Sequence, residues 1–94
     1  MKISGLVDKV YDEQSFLVFL HALMKDRVEE VQKEKVNPSP PYGPGANGWE
    51  NGTIEGFLES AIAWAEDSKN SLNKIESNPW KRCAQILYMG KHYE

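Results

Sequence analysis

The sequence predicts an all-α protein, a small three-helix bundle with an extra short N-terminal helical turn. Three segments repeat apolar residues at the three- and four-residue spacing of a helix, and the first and third begin with an Asp or Asn that can cap a helix. No alternation of apolar and polar residues is long enough for a strand. The chain has 94 residues, so residues 1–94 are expected to form a single helical domain.

Two elements are expected before the first loop. The first is a short helical turn, because four apolar residues have i, i+3, i+4 and i+7 spacing: Ile3, Leu6, Val7 and Val10. The second is a long helix at 12–36, with Asp12 as its N-cap. Its apolar arc is wide enough to meet two neighbours and contains Phe16, Leu17, Phe19, Leu20, Leu23, Met24, Val28 and Val31.

The far half of this helix is strongly charged. Glu29 and Lys33 have the favourable i, i+4 order of an ion pair. The charged residues, interpreted together as a solvated face, are Lys25, Asp26, Arg27, Glu29, Glu30, Lys33, Glu34 and Lys35. Asn37-Pro38 ends the helix because the residue before a proline is disfavoured in the α region.

A long Pro/Gly loop is predicted at 37–48, between helices 1 and 2. It contains four prolines and three glycines, which suit neither a helix nor a central strand. Two PxxP spacings flank Tyr42. Such a segment can dock in an aromatic groove, but a stiff spacer is the favoured interpretation.

The segment Trp49-Glu50-Asn51 follows the loop and has two interpretations. In the structural one, which is favoured, Trp49 is buried and anchors the end of the loop, while Glu50 and Asn51 satisfy the start of the second helix. In the functional one, Trp49 and Tyr42 form an aromatic contact site for another protein. The candidate partner-contact residues are therefore Tyr42, Trp49, Glu50 and Asn51.

A second helix is predicted at 53–68, capped by Thr53 or Asn51. Its apolar stripe is expected to lie in the core and contains Ile54, Phe57, Leu58, Ala61, Ile62 and Ala65. On that assignment Leu58→Ala costs about 2–5 kcal/mol. The opposite side is mostly acidic.

A third helix is predicted to begin at Asn78-Pro79, with Asn78 as cap and Pro79 at the first helical position. Gly90 is expected to end it as a C′ residue. Its apolar stripe contains Trp80, Cys83, Ala84, Leu87 and Tyr88.

The composition limits which kinds of partner the chain can bind and in which cellular compartment it is expected. Lys plus Arg number 11 and Asp plus Glu 14, a net charge of −3, and there is one cysteine. With no pair for a disulfide, no secretion leader and no apolar run of the roughly 18–20 residues that span a bilayer, the chain is expected to be cytoplasmic. The acidic balance argues against binding to nucleic acid, and no membrane contact is expected.

The residues that could act in catalysis or bind a metal are interpreted as structural, so no catalytic residue, cofactor or metal site is predicted. Cys83 lies on an apolar stripe and is interpreted as a buried structural thiol. His21 and His92 are not paired with other ligand types at helical spacing, whereas a metal needs three or four convergent donors. Glu55 and Glu59 are interpreted as part of a solvated acidic face.

The chain resembles a small bacterial domain family of uncharacterised function over roughly residues 12–94. The residues that carry the resemblance are Phe16-x-x-Phe19 with Leu23, Trp49-Glu50-Asn51, Phe57-Leu58-Glu59, Trp64-x-x-Asp67, Trp80 with Ala84 and Leu87, and Tyr93-Glu94. The Pro/Gly insertion before Trp49 departs from the family pattern. The resemblance implies no catalytic residues, and an immunity-like role only by association with toxin genes.

The leading functional hypothesis is a non-enzymatic protein-binding module, immunity-like or regulatory, whose partner is another protein or a second copy in a homodimer. The alternative is a small-molecule-binding or enzymatic domain with an interhelical pocket formed by Trp64, Tyr88, Cys83 and His21. A nucleic-acid module built on three basic residues has the least support; these are Lys81, Arg82 and Lys91.

Overall fold

The computed structural model describes residues 2–40, 45–69 and 75–93, and these fold into α-helices joined by loops. The helices are α1 (Ile3–Asp8), α2 (Glu13–Val36), α3 (Ile54–Lys69) and α4 (Pro79–Gly90). The all-α class is confirmed, and α1 is the extra N-terminal turn. Within the described ranges, no helix has the length and apolar character needed to cross a membrane.

The helix caps follow the sequence closely. The Asp12 carboxylate accepts a hydrogen bond from the Ser15 N–H at 2.9 Å, and Ser15 Oγ accepts one from the Asp12 N–H at 3.1 Å, which makes a reciprocal capping box. The bond from the Ser15 backbone lowers the pKa of Asp12. At α4, Asn78 Oδ1 accepts from the backbone N–H groups of Trp80 and Lys81 at 2.9 and 3.1 Å. Both predicted caps are therefore confirmed.

Helix α4 is the centre of the bundle and packs against all three other helices. Helices α2 and α3 lie farther from each other, with no Cα atom of one within 8 Å of a Cα atom of the other. The buried apolar core lies beneath α4 and contains Val7, Val10, Phe19, Leu23, Trp49 and Ala84. The separation of α2 and α3 leaves a groove between them on the surface.

The close packing of α4 on α3 depends on Gly90. A Cβ atom at this position would lie 2.8 Å from the Phe57 carbonyl oxygen, closer than carbon and oxygen can approach. Gly90 is the last residue of α4, and among the described residues the positive φ belongs to Gly48. The predicted role of Gly90 as a C′ stop is therefore wrong, because the residue serves helix packing instead.

The apolar stripe predicted for the second helix is only half buried. Phe57 and Ala61 face α4 and the core, whereas Ile54, Leu58 and Ile62 are exposed. The expectation that Leu58 lies in the core is wrong. The pattern correctly marks an apolar arc, but α3 has one helical neighbour and buries only the side that faces it.

Cys83 is exposed, so its predicted burial is also wrong. Ala84 of α4 is fully buried, whereas Cys83, the residue before it, is exposed. Trp80 is 37% exposed, and the centre of its ring lies 5.6 Å from that of Phe16.

Candidate functional site

The charged half of α2 binds the end of the Pro/Gly loop. Glu30 is only 1% exposed. Its Oε1 accepts hydrogen bonds from the backbone N–H groups of Asn47 and Trp49, both at 3.1 Å, and its Oε2 pairs with Arg27 at 2.5 Å. The interpretation of this half as a solvated face is wrong at Glu30. Its carboxylate is buried and accepts the hydrogen bonds that the loop N–H groups would otherwise make with water.

Two further carboxylates of α2 extend this network. Glu34 accepts from the Ser39 hydroxyl at 2.5 Å, from the Ser39 N–H at 2.7 Å and from the Ala46 N–H at 2.8 Å. These bonds, the Ser39 hydroxyl first, lower the pKa of Glu34. Asp26 Oδ2 accepts from the Trp49 indole N–H at 2.8 Å and pairs with Lys91 at 2.8 Å. The loop is thereby attached to both α2 and the end of α4.

A sequence signal for this network exists. Asp26, Glu30 and Glu34 are four residues apart, which places three carboxylates on one face of the helix. The loop carries no charged side chain of its own, so the backbone N–H groups of its non-proline residues need acceptors from elsewhere in the chain. The pair Glu29 and Lys33, by contrast, is an exposed i, i+4 ion pair at 2.7 Å, as predicted.

A tight turn brings the loop onto Glu30. The Gly45 N–H donates to the Trp49 carbonyl and the Gly48 N–H to the Gly45 carbonyl, both at 2.9 Å. Gly48 has φ +85, which favours glycine, and a Cβ at Gly45 would overlap the Glu30 carboxylate. The chain therefore turns tightly between Gly45 and Gly48.

Trp49 is buried, with 8% of its surface exposed, as the structural interpretation requires. The Arg27 guanidinium and the Lys91 ammonium lie 5.5 and 5.7 Å from the centre of its ring, and the Phe57 ring lies 5.9 Å away. These contacts hold the indole in a buried position, so it does not project as an outward anchor.

The remaining candidate contact residues are dispersed. Asn51 donates from Nδ2 to the carbonyl oxygens of Gly90 and Tyr93, at 3.0 and 3.3 Å, and thus joins α4 rather than capping α3. The α3 cap is Thr53, whose Oγ1 accepts from the Gly56 N–H at 3.0 Å. Glu50 is exposed. Tyr42 lies outside the described residues, as do Pro41 and Pro44 of the PxxP spacings.

An open apolar groove, here called the α2–α3 groove, lies between these two helices with a volume of about 480 Å³. Its floor includes Trp49 and Phe57. Its rims carry large exposed apolar side chains, two from each helix: Met24 (54% exposed), Val28 (51%), Ile54 (78%) and Leu58 (48%). Two of the four candidate contact residues, Trp49 and Asn51, line it.

The two outer flanks of the α2–α3 groove differ in charge. Next to the apolar rim on α3 lie the exposed carboxylates Glu55 and Glu59. Next to the apolar rim on α2 lie the exposed side chains of Lys25 and of Glu29, whose carboxylate is paired with Lys33. At 3.6 residues per turn, these residues lie on the face that follows the apolar rim of their own helix. The groove therefore has carboxylates along its α3 edge and the ammonium group of Lys25 on its α2 edge.

A second depression, here called the α4 cleft, has a volume of about 520 Å³ and a more polar lining. The Arg82 guanidinium lies 4.9 Å from the centre of the Trp64 ring and donates to Ser68 Oγ at 2.7 Å. Opposite them, the Tyr93 hydroxyl donates to the Asp67 carboxylate, and this bond raises the pKa of Tyr93.

The residues of the alternative pocket are only half assembled. Trp64 and Tyr88 line the α4 cleft, but Cys83 and His21 do not. His21 is on the exposed side of α2. Over residues 2–40, 45–69 and 75–93, no group of three His, Cys, Asp or Glu side chains could hold a metal ion.

Comparison with known proteins identifies a family but no activity. No curated protein and no solved structure matches the chain significantly. The profile of one protein family, DUF7660, described as a family of unknown function, matches residues 12–94, which is most of the chain and the same span as the resemblance noted from the sequence. The chain therefore belongs to the DUF7660 family of unknown function.

Proposed function

We propose that this chain is a non-enzymatic, cytoplasmic protein-binding module whose docking surface is the α2–α3 groove. The bound element is an amphipathic helix of another polypeptide, with its apolar side chains in the groove. An immunity-like or regulatory role needs no more than such binding. An exposed thiol at Cys83 suits the reducing cytoplasm, where it would remain unoxidised.

The single observation that carries the proposal is the convergence of four large exposed apolar side chains on one groove of about 480 Å³. Scattered exposed apolar residues are ordinary, but a contiguous patch of them marks a contact surface. Burying apolar surface contributes about 25 cal/mol per Å², so covering these rims is favourable.

The floor of the groove is rigid, which further supports binding. Trp49 is fixed by Asp26 at its indole N–H and by Glu30 at its backbone N–H. A surface that is already ordered before binding loses less conformational entropy when a partner docks. The buried network of α2 thus has a functional consequence, since it holds the docking surface in one shape.

The proposal is tested with a photo-crosslinking amino acid placed at position 28, in the groove, or at position 18 as a matched control. Val18 and Val28 are on the same helix and are 49% and 51% exposed, but Val18 lies away from the groove. We expect one polypeptide to crosslink from position 28 and not from position 18.

The crosslinked polypeptide is then purified and titrated against the unmodified chain by calorimetry. Val28→Glu should weaken the binding at least about tenfold, the effect of losing about 1.4 kcal/mol at a central contact. Val18→Glu should leave it unchanged. Equal crosslinking from both positions, or equal affinities of the two variants, contradicts the proposal.

A second candidate function is favoured by the α4 cleft, whose aromatic and charged lining could bind a small molecule. Its test is a thermal-shift screen of metabolites against the chain and against Gln85→Trp, which would fill the cleft from α4. A compound that raises the melting temperature of the unmodified chain alone supports this candidate. If no compound does so, it fails.

A further inference from the structure

We infer that the occupant of the α2–α3 groove is helix α2 of a second copy, so that the chain forms a two-fold symmetric homodimer. This inference rests on the proposed function and names its partner. It follows from three properties of the groove face: the spacing of the apolar residues on α2, their position beside the groove, and the charges on the two flanks.

The exposed apolar residues of α2 have the spacing of a helix-packing seam. Leu17, Met24, Val28 and Val31, with His21 between the first two, follow one another at intervals of four and three residues. All four apolar members are exposed. Alternation of four and three is the 3.5-residue repeat by which one helix packs lengthwise on another. Within this chain no Cα atom of α3 comes within 8 Å of α2, so the seam remains exposed.

The seam and the groove are side by side on the same face of the molecule. In a two-fold dimer each surface patch meets the equivalent patch of the other copy. A ridge next to a groove then fits reciprocally, with the α2 ridge of each copy in the groove of the other. Met24 and Val28 would lie between the partner's Trp49 and the partner's Leu58, and the equivalent contact repeats across the axis.

The charges of the flanks favour a second copy over an unrelated helix. When the α2 seam of one copy enters the groove of the other, the Lys25 ammonium on its flank meets the acidic edge formed by the partner's Glu55 and the partner's Glu59, while Glu29 stays paired with Lys33 of its own helix. The same pairing forms twice by symmetry. Complementary charges on opposite edges fix the orientation of the two copies.

The test is the mass of the full-length chain in solution, measured by sedimentation velocity and light scattering from low micromolar to about 1 mM, where even a millimolar dissociation constant is detectable. We expect a concentration-dependent dimer. Val28→Glu should shift the chain to monomer, and the matched control Val18→Glu should not. Because both side chains are half exposed, both variants should keep the far-ultraviolet circular dichroism of the unmodified chain.

Charge reversal tests the pairing itself. Lys25→Glu and Glu59→Lys should each weaken the dimer, and the double variant should restore it toward the affinity of the unmodified chain. A double variant that is weaker than either single one contradicts the pairing.

The outcomes separate this inference from the proposed function. A chain that stays monomeric at about 1 mM, but crosslinks from position 28 to a different polypeptide, overturns the homodimer and leaves the docking surface intact. A dimer that survives Val28→Glu overturns the assigned interface. A monomer that crosslinks to nothing from position 28 overturns both.

Discussion

Glu30 offers the sharpest test of how the loop is held. Replacing it with alanine removes the acceptor of the Asn47 and Trp49 N–H groups and leaves Arg27 without its carboxylate partner, with only the Gly52 carbonyl as acceptor among the described residues. Breaking a buried ion pair by deleting one member costs about 3–5 kcal/mol. Arg27 is partly exposed, so water can solvate it, and the lower end, about 3 kcal/mol, is expected.

Glutamine at position 30 separates hydrogen bonding from charge. It keeps one carbonyl oxygen for the two loop N–H groups but loses the pairing with Arg27. Glu30→Gln should therefore cost about 1–3 kcal/mol, less than alanine. Both losses are large for a domain whose whole stability is about 5–15 kcal/mol.

The assay is urea unfolding followed by tryptophan fluorescence and circular dichroism, with Glu29→Ala as the control. Glu29 is on the same helix but exposed, in an ion pair with Lys33, so its loss should hardly move the unfolding midpoint. If Glu30→Ala unfolds within about 0.5 kcal/mol of the unmodified chain, the reasoning is refuted.

Gly45 provides a coupled check on the same contact. A Cβ there would overlap the Glu30 carboxylate, so Gly45→Ala should destabilise the chain. In the Glu30→Ala background the overlap is gone. The second substitution should then cost less than it does alone, and simple additivity in the double-mutant cycle would contradict the packing described.

Three further predictions concern helix packing, capping and pH. Gly90→Ala should destabilise the domain, because the added Cβ pushes α4 away from the α3 backbone. Gly5→Ala is the control: its Cβ would lie in open space, so it should be neutral or stabilise the helix by up to about 1 kcal/mol. Thermal unfolding compares the two variants. Asn78→Ala should cost about 1 kcal/mol in urea unfolding, and Asn78→Asp, which keeps the accepting oxygen, much less. The hydrogen bond to Asp67 raises the pKa of Tyr93 in the folded chain. The stabilisation from this bond is therefore complete below the pKa of the unfolded chain and is lost as the pH rises above about 10. Absorbance titration should show one tyrosine with a raised pKa, and Asp67→Asn should remove that shift.

The sequence predicted the helices well because their signals are local. The Asp12 and Asn78 caps act on backbone N–H groups within three residues, and both are present in the structure. The Asn47-Gly48 turn likewise depends on the φ that glycine permits at position 48. Such interactions are made between near neighbours in the chain, so the order of residues is sufficient to place them.

The candidate site was predicted less well, because burial depends on which elements become neighbours. Periodicity placed Leu58 and Cys83 on apolar arcs, but both side chains are exposed because they lie on parts of α3 and α4 that no neighbouring helix covers. Trp49 was correctly interpreted as buried. Its companion Glu30 was not, because the evenly spaced carboxylates of α2 were interpreted as a solvated face, as charged residues on a helix most often are.

The sequence by itself thus determined an all-α chain, the caps at Asp12 and Asn78 and a Pro/Gly loop between the first two long helices, each through contacts a few residues long. Only the tertiary structure decided that α4 lies at the centre, that α2 and α3 stay apart, and that the loop packs on Glu30. The physical reason is that an amphipathic helix specifies an apolar arc wider than one neighbour can cover. Which part of that arc remains in water, here the rims of the α2–α3 groove, is determined when the helices pack together.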